Sequence, residues 1–199
     1  MLKRYANINL YEAGCDEAGR GALAGPVFAA AVILPSDYHN KKLNDSKLLS
    51  AKQRELLKQE IEKEAISFAY GFCNNDEIDK LNILNASILA MHKALSKLTV
   101  KPNIIVVDGN RFKQYKNIPY VNFVKGDSLF YSIAAASIIA KTYRDDYMEL
   151  LSNKYPEYKW DKNKGYPTKH HRQTIMQFGL TPLHRRSFIL HDYQQKIIF

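Results

Sequence analysis

Short apolar stretches bounded by turn residues alternate with segments of helical period, and this alternation constrains the fold of the chain most strongly. "VFAAAVIL" (27–34) reads as a buried strand closed by Pro35. "SAKQRELLKQEIEKEA" (50–65) opens with a Ser-x-x-Gln capping box and continues in strong helix formers. "ISFAYGFC" (66–73) alternates as a strand does, and "NDEIDKLNILNASILAMHKALSKL" (75–98) spaces its apolar residues for one long amphipathic helix. "NIIVVDGN" is a strand that stops at Asp108, and "YVNFVKGD" a strand that stops at Asp127. "SLFYSIAAASIIAKTYRDDYMELLSNKY" (128–155) is helical, with a small-residue face suited to close packing on a sheet. The expected fold is therefore α/β, a mixed central sheet flanked by helices.

Length bounds the organisation: 199 residues suit one domain, 1–199, with residues from about 154 onward as a basic, helical C-terminal appendage. The net charge is +9, and the window 154–186 alone carries eight Lys and Arg against two acids. Such an excess favours a polyanionic partner. Cys15 and Cys73 are too few and too far apart for a disulfide framework or a zinc site, and Cys15 reads as a small buried strand residue. No apolar run is long enough to span a bilayer, and no secretory signal is visible. A cytoplasmic protein without membrane contact is expected.

The acids recur where apolar strands end. "GCDEAGRGALAGP" (14–26) sets Asp16 and Glu17 before a glycine-rich turn, and Asp108 and Asp127 close two further strands. Neighbouring strands lie about 4.8 Å apart, so such ends can converge. Clustered carboxylates repel unless cations neutralise them or protons stay bound. Oxygen ligands without His or Cys suit Mg²⁺ or Mn²⁺, and two such ions would serve an in-line phosphoryl displacement. Adjacent strand residues point to opposite faces, so the strand should end at about Asp16, with Glu17 in the turn. Each acid taken singly has an alternative as a turn former or helix cap. The glycine turn likewise has one in packing, and each basic residue one as a solvated charge.

Six motifs occur in the order seen in ribonuclease HII: "DEAGRGALAGPV", "LNDSKLLS", "VVDGN", "VKGDSLFYSIAAASIIAKTYRD", "KGYPTKHH" and "HRRSF". From about Tyr11 to Phe188 the chain resembles the bacterial branch of that family. The resemblance implies a ribonuclease H-like fold and a four-carboxylate, two-metal site of Asp16, Glu17, Asp108 and Asp127 holding Mg²⁺ or Mn²⁺. It implies cleavage of RNA in RNA–DNA hybrids and on the 5′ side of a ribonucleotide in duplex DNA, leaving 3′-hydroxyl and 5′-phosphate ends.

On the same resemblance Gly19, Arg20 and Gly21 recognise the ribose 2′-hydroxyl, largely through backbone groups that glycine keeps accessible. Tyr166 stacks on the sugar of the following deoxynucleotide, although tyrosine is also a common packing residue. Asn44, Ser46, Lys47, Lys125, Thr168, His184, Arg185 and Arg186 read as phosphate contacts, which position a duplex without reading its bases. Arg144 and Asp145 read as an ion pair outside the ligand set.

The related type III enzymes carry an additional N-terminal domain and lack the arginine of Gly-Arg-Gly, so Arg20 favours type II. A non-catalytic basic nucleic-acid-binding module is the rival from another class; it would need the lysines but not the acids. The ending "QQKIIF" resembles peptides that dock sliding clamps, through Gln195, Ile198 and Phe199; its alternative is packing on the domain itself. A monomer is expected.

Overall fold

The computed structural model describes residues 2–7, 9–43, 46 and 49–188. Five strands, β1 (Glu12–Ala18), β2 (Val27–Ile33), β3 (Ser67–Cys73), β4 (Ile104–Asp108) and β5 (Tyr120–Phe123), form one sheet in the order β3-β2-β1-β4-β5. β1–β2 and β2–β3 are antiparallel, whereas β1–β4 and β4–β5 are parallel. The sheet is therefore mixed, as expected.

Helices cover both faces. α1 (Ala51–Glu64) starts at Ser50, whose side chain and that of Gln53 complete the capping box. α2 (Asn75–Leu81) and α3 (Ile83–Ser96) replace the single long helix expected over 75–98. The break is at Asn82, with φ +64° and a side chain that accepts the Asn85 N–H. Asparagine tolerates positive φ and favours N-caps, and here that preference outweighs the continuous apolar period.

α3 packs on one sheet face, where Ala13, Cys15, Ala29 and Ala31 meet Ala86, Ala90 and Ala94. α4 (Tyr131–Ser152) packs on the other, with Ala134, Ala135 and Ile138 against Ala30 and Val32. Small residues on both sides let helix and sheet approach closely. This sandwich fixes the direction of each strand side chain, which alternates between the faces.

Beyond α4 come a short 3₁₀ turn (Pro156–Tyr158), α5 (Trp160–Asn163) and α6 (Lys169–Phe178). Trp160 and Tyr158 sit in an apolar cluster with Leu23, Ala24, Met148, Leu151 and Ile175. The basic C-terminal segment is thereby packed against the end of α4 and the loop after β1. Among the described residues no helix is long and apolar enough to cross a membrane.

Candidate active site

Strand register brings the first two acids together. Cys15 pairs with Val107, and both belong to the α3 side of the sheet. Asp16 and Asp108 follow by one residue on adjacent parallel strands, so both turn towards α4. β1 does not stop at Asp16; it continues through Glu17 to Ala18, correcting the expected end. Glu17 nonetheless lines the same cleft, of about 230 Å³, with Asp16, Asp108, Gly19, Arg20, Gly21, Ser46, Ser137, Lys141 and Tyr166.

Asp16 is buried, and its Oδ1 accepts the Glu17 N–H at 2.7 Å. Its pKa is pushed well above the carboxylate range, first by burial and then by Glu17 and Asp108; hydrogen bonds from Ser137 and the Glu17 N–H oppose the shift. Glu17 Oε1 accepts from Arg20 Nη1 at 3.0 Å, and the arginine is half exposed. Asp108 Oδ1 accepts the Gly126 N–H at 2.7 Å, which ties the end of β4 to the 3₁₀ turn Gly126–Ser128.

That turn carries Asp127. β5 ends at Phe123, and Lys125 adopts a left-handed conformation (φ +59°) before the turn, so Asp127 is not the strand end the sequence suggested. Its side chain is buried and is not among those lining the cleft. Among the described residues no group of three His, Cys, Asp or Glu side chains is disposed to hold a metal ion in this conformation. The donor chemistry still fits a hard divalent cation. The cleft offers carboxylate oxygens without His or Cys, and a cation beside Asp16 would offset the repulsion from Glu17 and Asp108 that adds to the effect of burial.

Two lining residues escaped the sequence reading. Ser137 lies in α4 with its Oγ 2.9 Å from that of Ser46, which is itself buried beside the cleft. Lys141 follows one helical turn later, its Nζ 2.6 and 2.7 Å from the two carboxylate oxygens of Asp145. Burial lowers its pKa despite that partner, with Arg54 and Arg144 adding to the effect. The i, i+4 spacing within "SIIAK" was the available signal, obscured because the whole segment is apolar and small.

Arg144 and Asp145 do not pair with each other. Asp145 pairs with Lys141 and with Arg54 at 3.6 Å. Arg144 is fully buried: its Nε donates to the Pro26 carbonyl at 3.0 Å, and its guanidinium lies 5.3 Å from the Tyr166 ring centre. The Gly-Arg-Gly turn rests on this arginine. Gly19 has φ +95°, and a Cβ there would lie 1.9 Å from Arg144 Nε. Gly21 is different, since a Cβ would only touch the Tyr166 ring at 4.0 Å.

The expected phosphate contacts divide. Asn44 and Lys47 lie outside the described residues, as do Gln195, Ile198 and Phe199. Lys125, Thr168 and Arg186 are exposed, and Thr168 also caps α6. His184 and Arg185 are corrected: His184 is 1% exposed and Arg185 0%. Arg185 donates to the Gly25 carbonyl at 2.9 Å and, through Nη1, to the Arg20 carbonyl at 2.9 Å, so it braces the turn from beneath. Burial and the neighbouring Arg144 push its pKa down to about 9. The run "HRR" looks uniformly basic in sequence, but only Arg186 remains on the surface.

The ribonuclease HII family model matches residues 13–191. A ribonuclease HII of Bacteroides thetaiotaomicron is 57% identical over 200 residues, covering 100% of both chains. Among solved structures, ribonuclease H2 from Pyrococcus horikoshii superposes with TM-score 0.76 at 26% identity, over 89% of this chain and 93% of that one. Ribonuclease HII of Archaeoglobus fulgidus, solved as a complex with PCNA, gives TM-score 0.73 at 24% identity, over 89% and 94%, and shares the fold. An α/β sheet of this order, acids on adjoining parallel strands, the family-model match and the full-length match to the Bacteroides relative together place the chain in the ribonuclease HII family, nucleases of the ribonuclease H type.

Proposed function

We propose that this chain is a metal-dependent endoribonuclease that cleaves RNA in RNA–DNA hybrids. We propose that it also cleaves on the 5′ side of single ribonucleotides in duplex DNA, leaving 3′-hydroxyl and 5′-phosphate ends. One observation carries the reading: Asp16, Glu17 and Asp108 share a cleft with Gly19, Arg20, Gly21 and Tyr166. Scissile chemistry and sugar recognition then lie side by side. A non-catalytic basic module would have no use for clustered acids there, since unneutralised carboxylates repel phosphate.

Asp16, Glu17, Asp108 and Asp127 would hold two divalent ions, Mg²⁺ or Mn²⁺, which when bound supply an activated water and stabilise charge on the leaving oxygen. The chain's own residues do the rest. Ser137 orients Asp16, and Gly126 orients Asp108. Arg20, lying against Glu17 at the cleft mouth, serves a phosphate beside the ribose. The backbone of Gly19, Arg20 and Gly21 meets the 2′-hydroxyl, the group that separates RNA from DNA. Tyr166 closes the other side and stacks on the next sugar. Lys125, Thr168 and Arg186 guide the duplex by its phosphates. The clamp contact through Gln195, Ile198 and Phe199 rests on the sequence motif, and the chain acts as a monomer in this reading.

The test is a duplex carrying one ribonucleotide, incubated with Mg²⁺, with Mn²⁺ and with a chelator, and the product ends mapped. The proposal expects a metal-dependent nick 5′ of the ribonucleotide. A duplex left intact with both metals, or cut equally in chelator, overturns it.

A further inference from the structure

Two histidines outside the acid cleft are buried and joined. His171, in the first turn of α6, is 0% exposed, and His184 is 1% exposed. Their Nε2 atoms are 3.2 Å apart. A buried imidazole is costly unless each nitrogen finds a partner, and an apolar pair could fill the same volume. The hydrogen bonds explain why imidazoles are there.

The neighbours fix both tautomers. The Thr181 N–H can only donate, and it donates to His184 Nδ1 at 2.9 Å, so the His184 proton sits on Nε2. The Trp160 indole N–H can only donate, and it donates to His171 Nε2 at 3.2 Å, so the His171 proton sits on Nδ1. His184 Nε2–H then points at His171 Nε2, and His171 Nδ1–H at the Tyr166 carbonyl, 2.9 Å away. The ring-to-ring bonds run in one direction only, from Thr181 through both rings to Tyr166, and the single lone pair of His171 Nε2 is shared between the His184 and Trp160 N–H groups. The Tyr166 carbonyl also accepts from Thr168 N–H at 2.8 Å, and its N–H donates to the Asn163 carbonyl at 2.9 Å. The Tyr166 peptide is thus gripped on both sides while its ring remains at the cleft.

We infer that His171 and His184 form a fixed-tautomer relay that positions Tyr166, and so sets how well the enzyme reads the junction between a ribonucleotide and the following deoxynucleotide. This rests on the role proposed above for Tyr166. His171 and His184 are positioning residues, since they touch no reacting atom. Charge on either ring would reverse a donor–acceptor assignment, and the surroundings oppose it. Burial is the largest cause holding both imidazoles neutral and outweighs the Tyr166 and Gly165 backbone bonds that favour charge on His171; Arg172 on α6 adds positive charge, and the hydroxyl of Tyr158 is turned to the Gly179 carbonyl.

Two measurements on the full chain test this. Long-range ¹H–¹⁵N correlation of the imidazoles should show His171 protonated on Nδ1 and His184 on Nε2, with His184 not titrating from about pH 5.5 to 7.5 and His171 titrating below the ordinary imidazole range. The opposite tautomers, or ordinary titration near neutrality, overturn the relay. Cleavage of a single-ribonucleotide duplex is then compared with that of a long RNA–DNA hybrid. His171→Leu should lower the first about tenfold, the upper end for one lost hydrogen bond, and the second much less. His171→Asn keeps a donor near the Nδ1 position and should restore most of the ratio. If His171→Leu does not fold, His184→Leu, with its melting temperature recorded, serves instead. An unchanged ratio, or equal loss on both substrates, overturns the positioning role. Tyr166→Ala is the control: if it too leaves the ratio unchanged, the reading of Tyr166 has failed and the relay loses its purpose, whereas the tautomers still judge the relay itself.

Discussion

Gly19 and Arg144 occupy complementary space: a Cβ at Gly19 would lie 1.9 Å from the Arg144 Nε, and the arginine donates to the Pro26 carbonyl a few residues along the same loop. The Gly-Arg-Gly turn is therefore built on a buried cation rather than held by its own hydrogen bonds alone. Gly21, where a Cβ would make only ordinary contact with the Tyr166 ring, has no such structural duty.

These two glycines should separate folding from recognition. Gly19→Ala should destabilise the protein by at least about 1–2 kcal/mol, the ordinary cost of a side chain at positive φ, with the Arg144 clash adding to it. Gly21→Ala should leave stability within about 0.5 kcal/mol yet weaken cleavage beside a single ribonucleotide, because the added methyl would stand where the proposed function brings the sugar. Chemical denaturation and the nicking assay read the two effects; equal stability losses would refute the distinction.

Asp108→Asn should abolish cleavage and leave the fold and duplex affinity nearly unchanged. The amide oxygen can still accept the Gly126 N–H that ties β4 to the turn bearing Asp127. Melting temperature, binding and turnover measured on one preparation check this, and turnover retained at saturating Mg²⁺ would remove Asp108 from the ligand set.

Duplex affinity should fall steeply with salt, with a slope of about 0.9 for each phosphate neutralised. Lys125→Ala and Arg186→Ala should each reduce the slope by about one contact. Arg185→Ala should not act in this way; its loss should appear as instability, since the side chain is buried against the Gly25 and Arg20 carbonyls. A salt titration of each variant distinguishes the surface residues from the buried one.

Acid should cost stability through His184. Burial, then His171, lowers its pKa from 6.5 to about 4 in the folded protein. The unfolded chain therefore binds the proton first, so the contribution is complete above pH 6.5 and is lost progressively as pH falls towards 4. His184→Gln should flatten the decline over that window. Melting curves taken from pH 7 to 4.5 measure it, and parallel curves for the two proteins would contradict the assignment.

The strands, the capping box at Ser50 and the acids at Asp16 and Asp108 were legible in sequence because each is a local matter of period, cap or turn. The motifs supplied the family on the same terms. What local reading missed depends on contacts between distant segments. Asn82 splits a helix whose apolar period runs on unbroken, because the backbone turns to bring α3 onto the sheet. Lys125 turns the chain so that Asp127 enters on a 3₁₀ turn rather than a strand. His184 and Arg185 carry the composition of a phosphate track, yet packing against Trp160 and the loop after β1 buries them. Sequence by itself determined which residue types were available and at what spacing. The tertiary structure decided which of them face the cleft, because burial and hydrogen-bond direction are properties of neighbours that lie far apart along the chain.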